Sequence, residues 1–78
     1  MKRQTRELDY VIGANIRYYR ELSGLTQKSL ADCLGVTFQQ IQKYENGVNR
    51  VSAVRLWEVA KILQKDIGVF YRKPKTSD

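Results

Sequence analysis

With 78 residues, 42% of them hydrophobic, the chain is long enough for one small folded domain and too apolar for a disordered one. Fourteen Lys and Arg against eight Asp and Glu leave a net charge of +6, which attracts phosphate on nucleic acid or on a membrane surface. The lack of histidine and the single cysteine, Cys33, exclude an internal disulfide, a zinc site of the usual ligands, and Cys–His or Ser–His nucleophilic catalysis.

One thiol fits a reducing cytoplasm, and Cys33 reads as passive because no basic group adjoins it in sequence. No apolar run approaches the length of a membrane span or a signal-peptide core, so the whole chain is expected to be the mature protein. The only proline, Pro74, lies near the C-terminus and interrupts nothing upstream.

Residues 1–7 are polar and basic, with Lys2, Arg3 and Arg6, and read as a flexible arm suited to a phosphate backbone or a minor groove. From Leu8 the apolar positions are Leu8, Val11, Ile12, Ile16 and Tyr19. Steps of three, one, four and three are one helical stripe, which predicts a first helix from about 8 to 22, stopped by Gly24. Thr26 can cap a second helix over 27–34, with Leu30, Ala31 and Leu34 on one side and Gly35 at its end.

The third helix, about 38–46, carries the strongest local signature. Thr37 and Gln40 have capping-box spacing, Val36 and Ile41 have hydrophobic-staple spacing, and Asn46-Gly47 stops the helix. After a loop over 48–51, Ser52 can cap a fourth helix whose buried stripe is Leu56, Val59, Ala60 and Leu63, bordered by Trp57. Asp66 can cap a short fifth helix over 67–71, and 72–78 reads as a flexible basic-then-polar tail. No period-two segment competes, so the expected fold is all-α, a compact five-helix bundle over 8–71.

The second and third helices are joined by Leu34-Gly35-Val36 alone. That is too short for a hairpin of long helices and suits two short helices crossing steeply, a helix-turn-helix. Ala31 is small where the helices approach, Gly35 supplies positive φ in the turn, and Ile41 fills the wedge. The run "TQKSLADCLGVTFQQIQKYENG" resembles the helix-turn-helix of the phage repressor and Cro-like (XRE) family. The resemblance extends over about 8–71, from the first helix through "LWEVAKIL" to "DIGVFY". It implies a lambda-repressor-like DNA-binding domain acting in transcriptional control. The chain departs from the pattern at Gln64, where many relatives carry glycine, and at Phe38, where a polar residue is frequent; the second bears on base preference.

At about 100° per residue, Ile41, Tyr44 and Glu45 mark the inward face of the third helix. Gln39, Gln42, Lys43 and Asn46 gather opposite, and Phe38 is lateral at the leading end. Glutamine matches the donor–acceptor pair of adenine, lysine reaches guanine acceptors or a phosphate, and Phe38 or the Thr37 methyl can meet a thymine methyl. Expected base contacts are therefore Phe38, Gln39, Gln42 and Lys43, with Gln40 drawn toward its capping role. Gln27, Lys28, Thr37, Asn46, Asn49 and Arg50 are the expected backbone contacts; for Gln27 the resemblance also implies it. The resemblance further implies a structural ion pair between Arg20 and Glu45.

Val69, Phe70 and Tyr71 put much apolar surface at a chain end; some of it must cover the core, and the remainder is a candidate for a homodimer contact, which would imply a near-palindromic double-stranded DNA site. No metal, cofactor or effector site is expected. Two other classes use such a domain: an antitoxin that neutralises a toxin, and a protein-interaction module without specific DNA binding. No acid–base constellation or phosphate loop points to an enzyme. The basic residues are scattered and not stacked on one helix face, which disfavours a membrane-surface role.

Overall fold

The structure is a computed structural model that describes residues 2–73, with side chains described from Arg6 onward. Four α-helices and one 3-10 turn follow in order: α1 (Lys2–Leu22), α2 (Gln27–Leu34), α3 (Phe38–Glu45), α4 (Ala53–Leu63) and the turn Ile67–Tyr71. No strand is present among the described residues.

Helix α1 starts six residues before the apolar stripe does. Lys2 to Glu7 holds neither glycine nor proline, and Lys, Arg, Gln and Glu are strong helix formers, so this segment prolongs the helix that the stripe nucleates. The side-chain roles expected of Lys2 and Arg3, and residues 74–78 of the tail, lie outside what is described. Burial along α1 begins one turn later than the stripe: Ile12, Ile16 and Tyr19 are in the core, whereas Leu8 is 41% exposed. Fully burying one such aliphatic side chain is worth about 1.5–3 kcal/mol, so the core positions fasten the helix.

The three expected threonine and serine caps all form. Thr26 Oγ1 accepts from the Ser29 N–H at 2.9 Å, Thr37 Oγ1 from the Gln40 N–H at 3.3 Å, and Ser52 Oγ from the Arg55 N–H at 3.0 Å. The box at Thr37 closes on one side only, since no bond from the Thr37 N–H to the Gln40 amide is found among the described residues. Gly35 ends α2 with φ of 74°, a left-handed conformation that costs glycine nothing. Leu30, Ala31, Ile41, Leu56, Val59, Leu63 and Phe70 close the centre of the core.

Besides the helical Lys2–Glu7 segment, where the sequence predicts a flexible arm, two further features run against expectation. The fifth helix is a 3-10 turn: five residues are too few for a stable α-helical segment, and the Asp66 side chain makes no capping bond. Asn15 holds that turn instead. It sits fully buried on the inner face of α1 and donates through Nδ2 to the carbonyls of Phe70 at 2.9 Å and Arg72 at 2.6 Å. Phe70, a dimer candidate from the sequence, is 0% exposed and packs edge-on against Tyr19, with ring centroids 5.6 Å apart. It is therefore core, and cannot meet a second chain. Val69 is half-buried against the same core, and Tyr71 alone of the three is largely exposed.

Gln64 ends α4 in the left-handed region, at φ 56° and ψ 46°. A side chain there crowds the carbonyl oxygen, a cost of about 1–2 kcal/mol that glycine escapes. The expected result of Gln64→Gly is thus a rise in unfolding free energy of about 0.5–1 kcal/mol in urea titration, part of the gain being offset by glycine's greater unfolded-state entropy. Gln64→Val should lower it; equal stability of the two variants would remove the strain argument.

Candidate nucleic-acid interface

The exposed side of α3 is assembled by what buries its other side. Ile41 is 0% exposed, Tyr44 and Glu45 are 8% exposed, and these point into the molecule. Gln39, Gln42, Lys43 and Asn46 are exposed together on the outer side, and Phe38 is 42% exposed at the leading end. The helix is eight residues long, about 12 Å at 1.5 Å per residue. The outward ridge therefore presents amide and ammonium groups over a length of a few base pairs.

Glu45 fixes the orientation of this ridge. Arg20 Nε donates to its Oε2 at 2.7 Å and Arg20 Nη2 to its Oε1 at 3.2 Å, with the two side chains only 8% and 2% exposed. Arg20 Nη1 also donates to the Leu25 carbonyl at 2.8 Å, in the turn that leads into α2. The expected pair is present and buried, and it spans three segments of chain.

Gln27 occupies a place the sequence reading did not foresee. Its Nε2 donates to Glu45 Oε1 at 3.0 Å, so the side chain expected to face a phosphate also steadies the carboxylate under α3. The remaining amide hydrogen and the carbonyl stay available. So do the N–H groups of Gln27 and Lys28, which have no acceptor within the helix, whereas that of Ser29 is taken by the Thr26 cap. Arg17, Thr26, Gln27, Gln42 and Asn46 line one shallow polar depression between α1, the start of α2 and the outer side of α3. This draws Arg17 into the site, bonded to Glu21 at 3.2 Å. The only sequence signal for it is that Arg17 falls off the apolar stripe.

The other predicted contacts divide. Thr37 is exposed and serves as cap, and Lys28 is exposed beside Asp32, Nζ to Oδ2 at 3.4 Å. The segment after α3 folds back on it: the N–H groups of Val48 and Asn49 donate to the Lys43 carbonyl at 2.9 and 3.2 Å, and Asn49 is half-buried. Arg50 is exposed but already engaged, with Nε 3.2 Å from Asp9 Oδ1. Asp9 thus holds the loop to α1 across a separation of 41 residues.

A close approach between α1 and α3 completes the arrangement. A Cβ on Gly13 would fall on the Tyr44 carbonyl oxygen and lie 2.9 Å from that of Glu45. Only glycine lets the two backbones lie this near.

Two short helices joined by a glycine turn, the second displaying a polar outer ridge, define a helix-turn-helix domain. A helix-turn-helix family model, HTH_3, matches residues 16–70, and the chain belongs to this XRE-type family. An HTH-type transcriptional regulator of Sinorhizobium medicae is 43% identical over 70 residues, 90% of this chain and 50% of that protein. A transcriptional regulator in the ATPase CF(0) region of Rhodospirillum rubrum is 42% identical over 76 residues, 97% of this chain and 70% of that protein. The chain thus spans about half the length of the Sinorhizobium relative. The crystal structure of the clp gene regulator ClgR from Corynebacterium glutamicum superposes with a TM-score of 0.77 at 27% identity, covering 81% of this chain and 82% of that one.

Removing one member of the Arg20–Glu45 pair leaves a buried charge without its partner. Arg20→Ala is expected to lower unfolding free energy by about 3–5 kcal/mol. The double change Arg20→Met with Glu45→Met is expected to lose much less, because neither charge then remains buried. Urea denaturation of the three proteins measures this, and similar losses from single and double variants would show that the pair does not act as a unit.

Proposed function

We propose that this chain binds double-stranded DNA in a sequence-specific manner and regulates transcription, with α3 in the major groove. The observation that carries the reading is the sorting of α3. Gln39, Gln42, Lys43 and Asn46 lie on the exposed side, Gln40 is half-buried beside the cap, and the one acid in the helix is buried and paired with Arg20. A carboxylate left on that ridge would repel phosphate; its burial leaves a neutral-to-cationic surface on a chain of net charge +6.

Gln39, at the centre of the ridge, pairs with adenine N6 and N7, and Lys43 with guanine O6 and N7 or with a phosphate. Gln42 and Phe38 complete the base-reading set. Gln27 and Lys28 bring first-turn N–H groups of α2 to one phosphate strand, while Thr37, Asn46, Asn49 and Arg50 flank α3 along the backbone. Arg17 joins the Gln27 side.

One recognition helix reads one half-site. A homodimer would set two such helices about 34 Å apart, one duplex turn, over a near-palindromic operator. Tyr71 and the outer part of Val69 are the apolar surface left for that contact near the 3-10 turn. The site of action is the cytoplasm, where the DNA is.

Selection from random duplexes tests the reading. Gln39→Ala is expected to weaken the selected site by about 1–3 kcal/mol while leaving random DNA unaffected, with preference relaxed at one or two base pairs. Binding should fall steeply with added salt, as phosphate contacts release counterions. Failure to enrich any sequence, or equal loss on every duplex for Gln39→Ala, would overturn base reading by α3.

A further inference from the structure

Phe38 is the one residue on the exposed side of α3 that can neither donate nor accept a hydrogen bond. It is the first helical residue, next to the Thr37 cap, and it is 42% exposed. It does not pack against the hydrophobic core, although its neighbours Val36 and Ile41 do. Its ring therefore projects from the N-terminal tip of the helix, the end that reaches base edges when such a helix enters a major groove. Gln39, Gln42, Lys43 and Asn46 behind it all carry hydrogen-bonding groups.

The floor of the major groove offers an apolar side chain one partner. Base edges there present nitrogen and oxygen donors and acceptors, which lose water and gain nothing against a phenyl ring; the exception is a methyl group on pyrimidine C5. Thymine carries that methyl, and so does 5-methylcytosine.

We propose that Phe38 reads a pyrimidine C5-methyl group at one position of each half-site. This rests on the DNA-binding reading above. The assignment makes the preferred base thymine and makes the same position sensitive to cytosine methylation, because the ring meets the methyl and not the hydrogen-bonding edge. Removing one methyl from apolar contact costs about 0.8 kcal/mol, equivalent to about a fourfold change in affinity.

The test replaces each thymine of the selected duplex singly by deoxyuridine, which differs only in lacking the methyl. Wild-type protein is expected to lose about three- to fivefold at one position per half-site. Phe38→Ala, on an exposed position that the fold does not need, should bind the thymine and deoxyuridine duplexes alike there. At that position a 5-methylcytosine·guanine pair should bind wild-type protein about three- to fivefold better than cytosine·guanine, and Phe38→Ala equally well to both. Thr37→Ser keeps the capping hydroxyl and removes the exposed methyl adjacent in sequence; it should leave the thymine preference intact. A thymine–deoxyuridine difference that survives Phe38→Ala, disappears with Thr37→Ser, or is seen at no position would overturn the assignment. If no duplex is enriched in the first place, DNA recognition itself fails, an outcome separate from these.

Discussion

The buried carboxylate of Glu45 is the constraint on which the rest depends. It accepts from two nitrogens of Arg20 and from the amide of Gln27, and those residues come from α1 and from the start of α2. Net stability from such a pair is small, because removing two charges from water offsets most of their attraction. Its consequence is directional. Any packing of α3 that turns Glu45 outward strands Arg20 in the core without its partner and places a carboxylate on the outer ridge, and the first is costly. The pair thus reinforces the rotation of α3 that the burial of Ile41 and Tyr44 sets, and with it the identity of the side chains that face outward.

The C-terminal end of α3 is held as firmly by shape and charge together. The missing Cβ of Gly13 lets α1 lie against the Tyr44 and Glu45 carbonyls, the Tyr10 ring lies against Gly47, and Asp9 grips Arg50 in the following loop. The N-terminal tip is secured through the Thr37 hydroxyl, the Val36 N–H bonded to the Ala31 carbonyl at 3.0 Å, the half-buried Val36 side chain and the buried Ile41. Phe38, Gln39 and the outer amides thus stand on a rigid base with free ends. Such a base limits the side-chain entropy lost on binding to the contact groups themselves.

Much of the site was legible in the sequence because the signals are local. Thr26, Thr37 and Ser52 each reach a backbone N–H three residues on, and all three caps form. The rotation of α3 follows from its period, and Ile41 and Tyr44 are inward as the period requires. Residues whose role depends on distant partners were misread or missed. Asn15 looks like a polar interruption of an apolar stripe until the carbonyls of Phe70 and Arg72 arrive 55 and 57 residues later. Phe70 reads as spare surface at a chain end until the Tyr19 ring covers it. Arg50 and Gln27 read as backbone contacts alone until Asp9 and Glu45 are placed beside them.

By itself the sequence determined the approximate spans of α2, α3 and α4, the C-terminal end of α1, the three threonine and serine caps, and the polar outer side of α3, while the start of α1 lies six residues earlier than its apolar stripe implies. Periodicity, capping and turn chemistry act over about four residues and are written where they act. Only the tertiary structure decided that the last element is a 3-10 turn clamped by Asn15, that Gln64 bears a left-handed backbone, and that Arg17 joins the rim of the interface. It also decided which apolar residues remain outside. These outcomes depend on which side chains meet after the chain has closed on itself, and no local pattern encodes a partner 41 to 57 residues away.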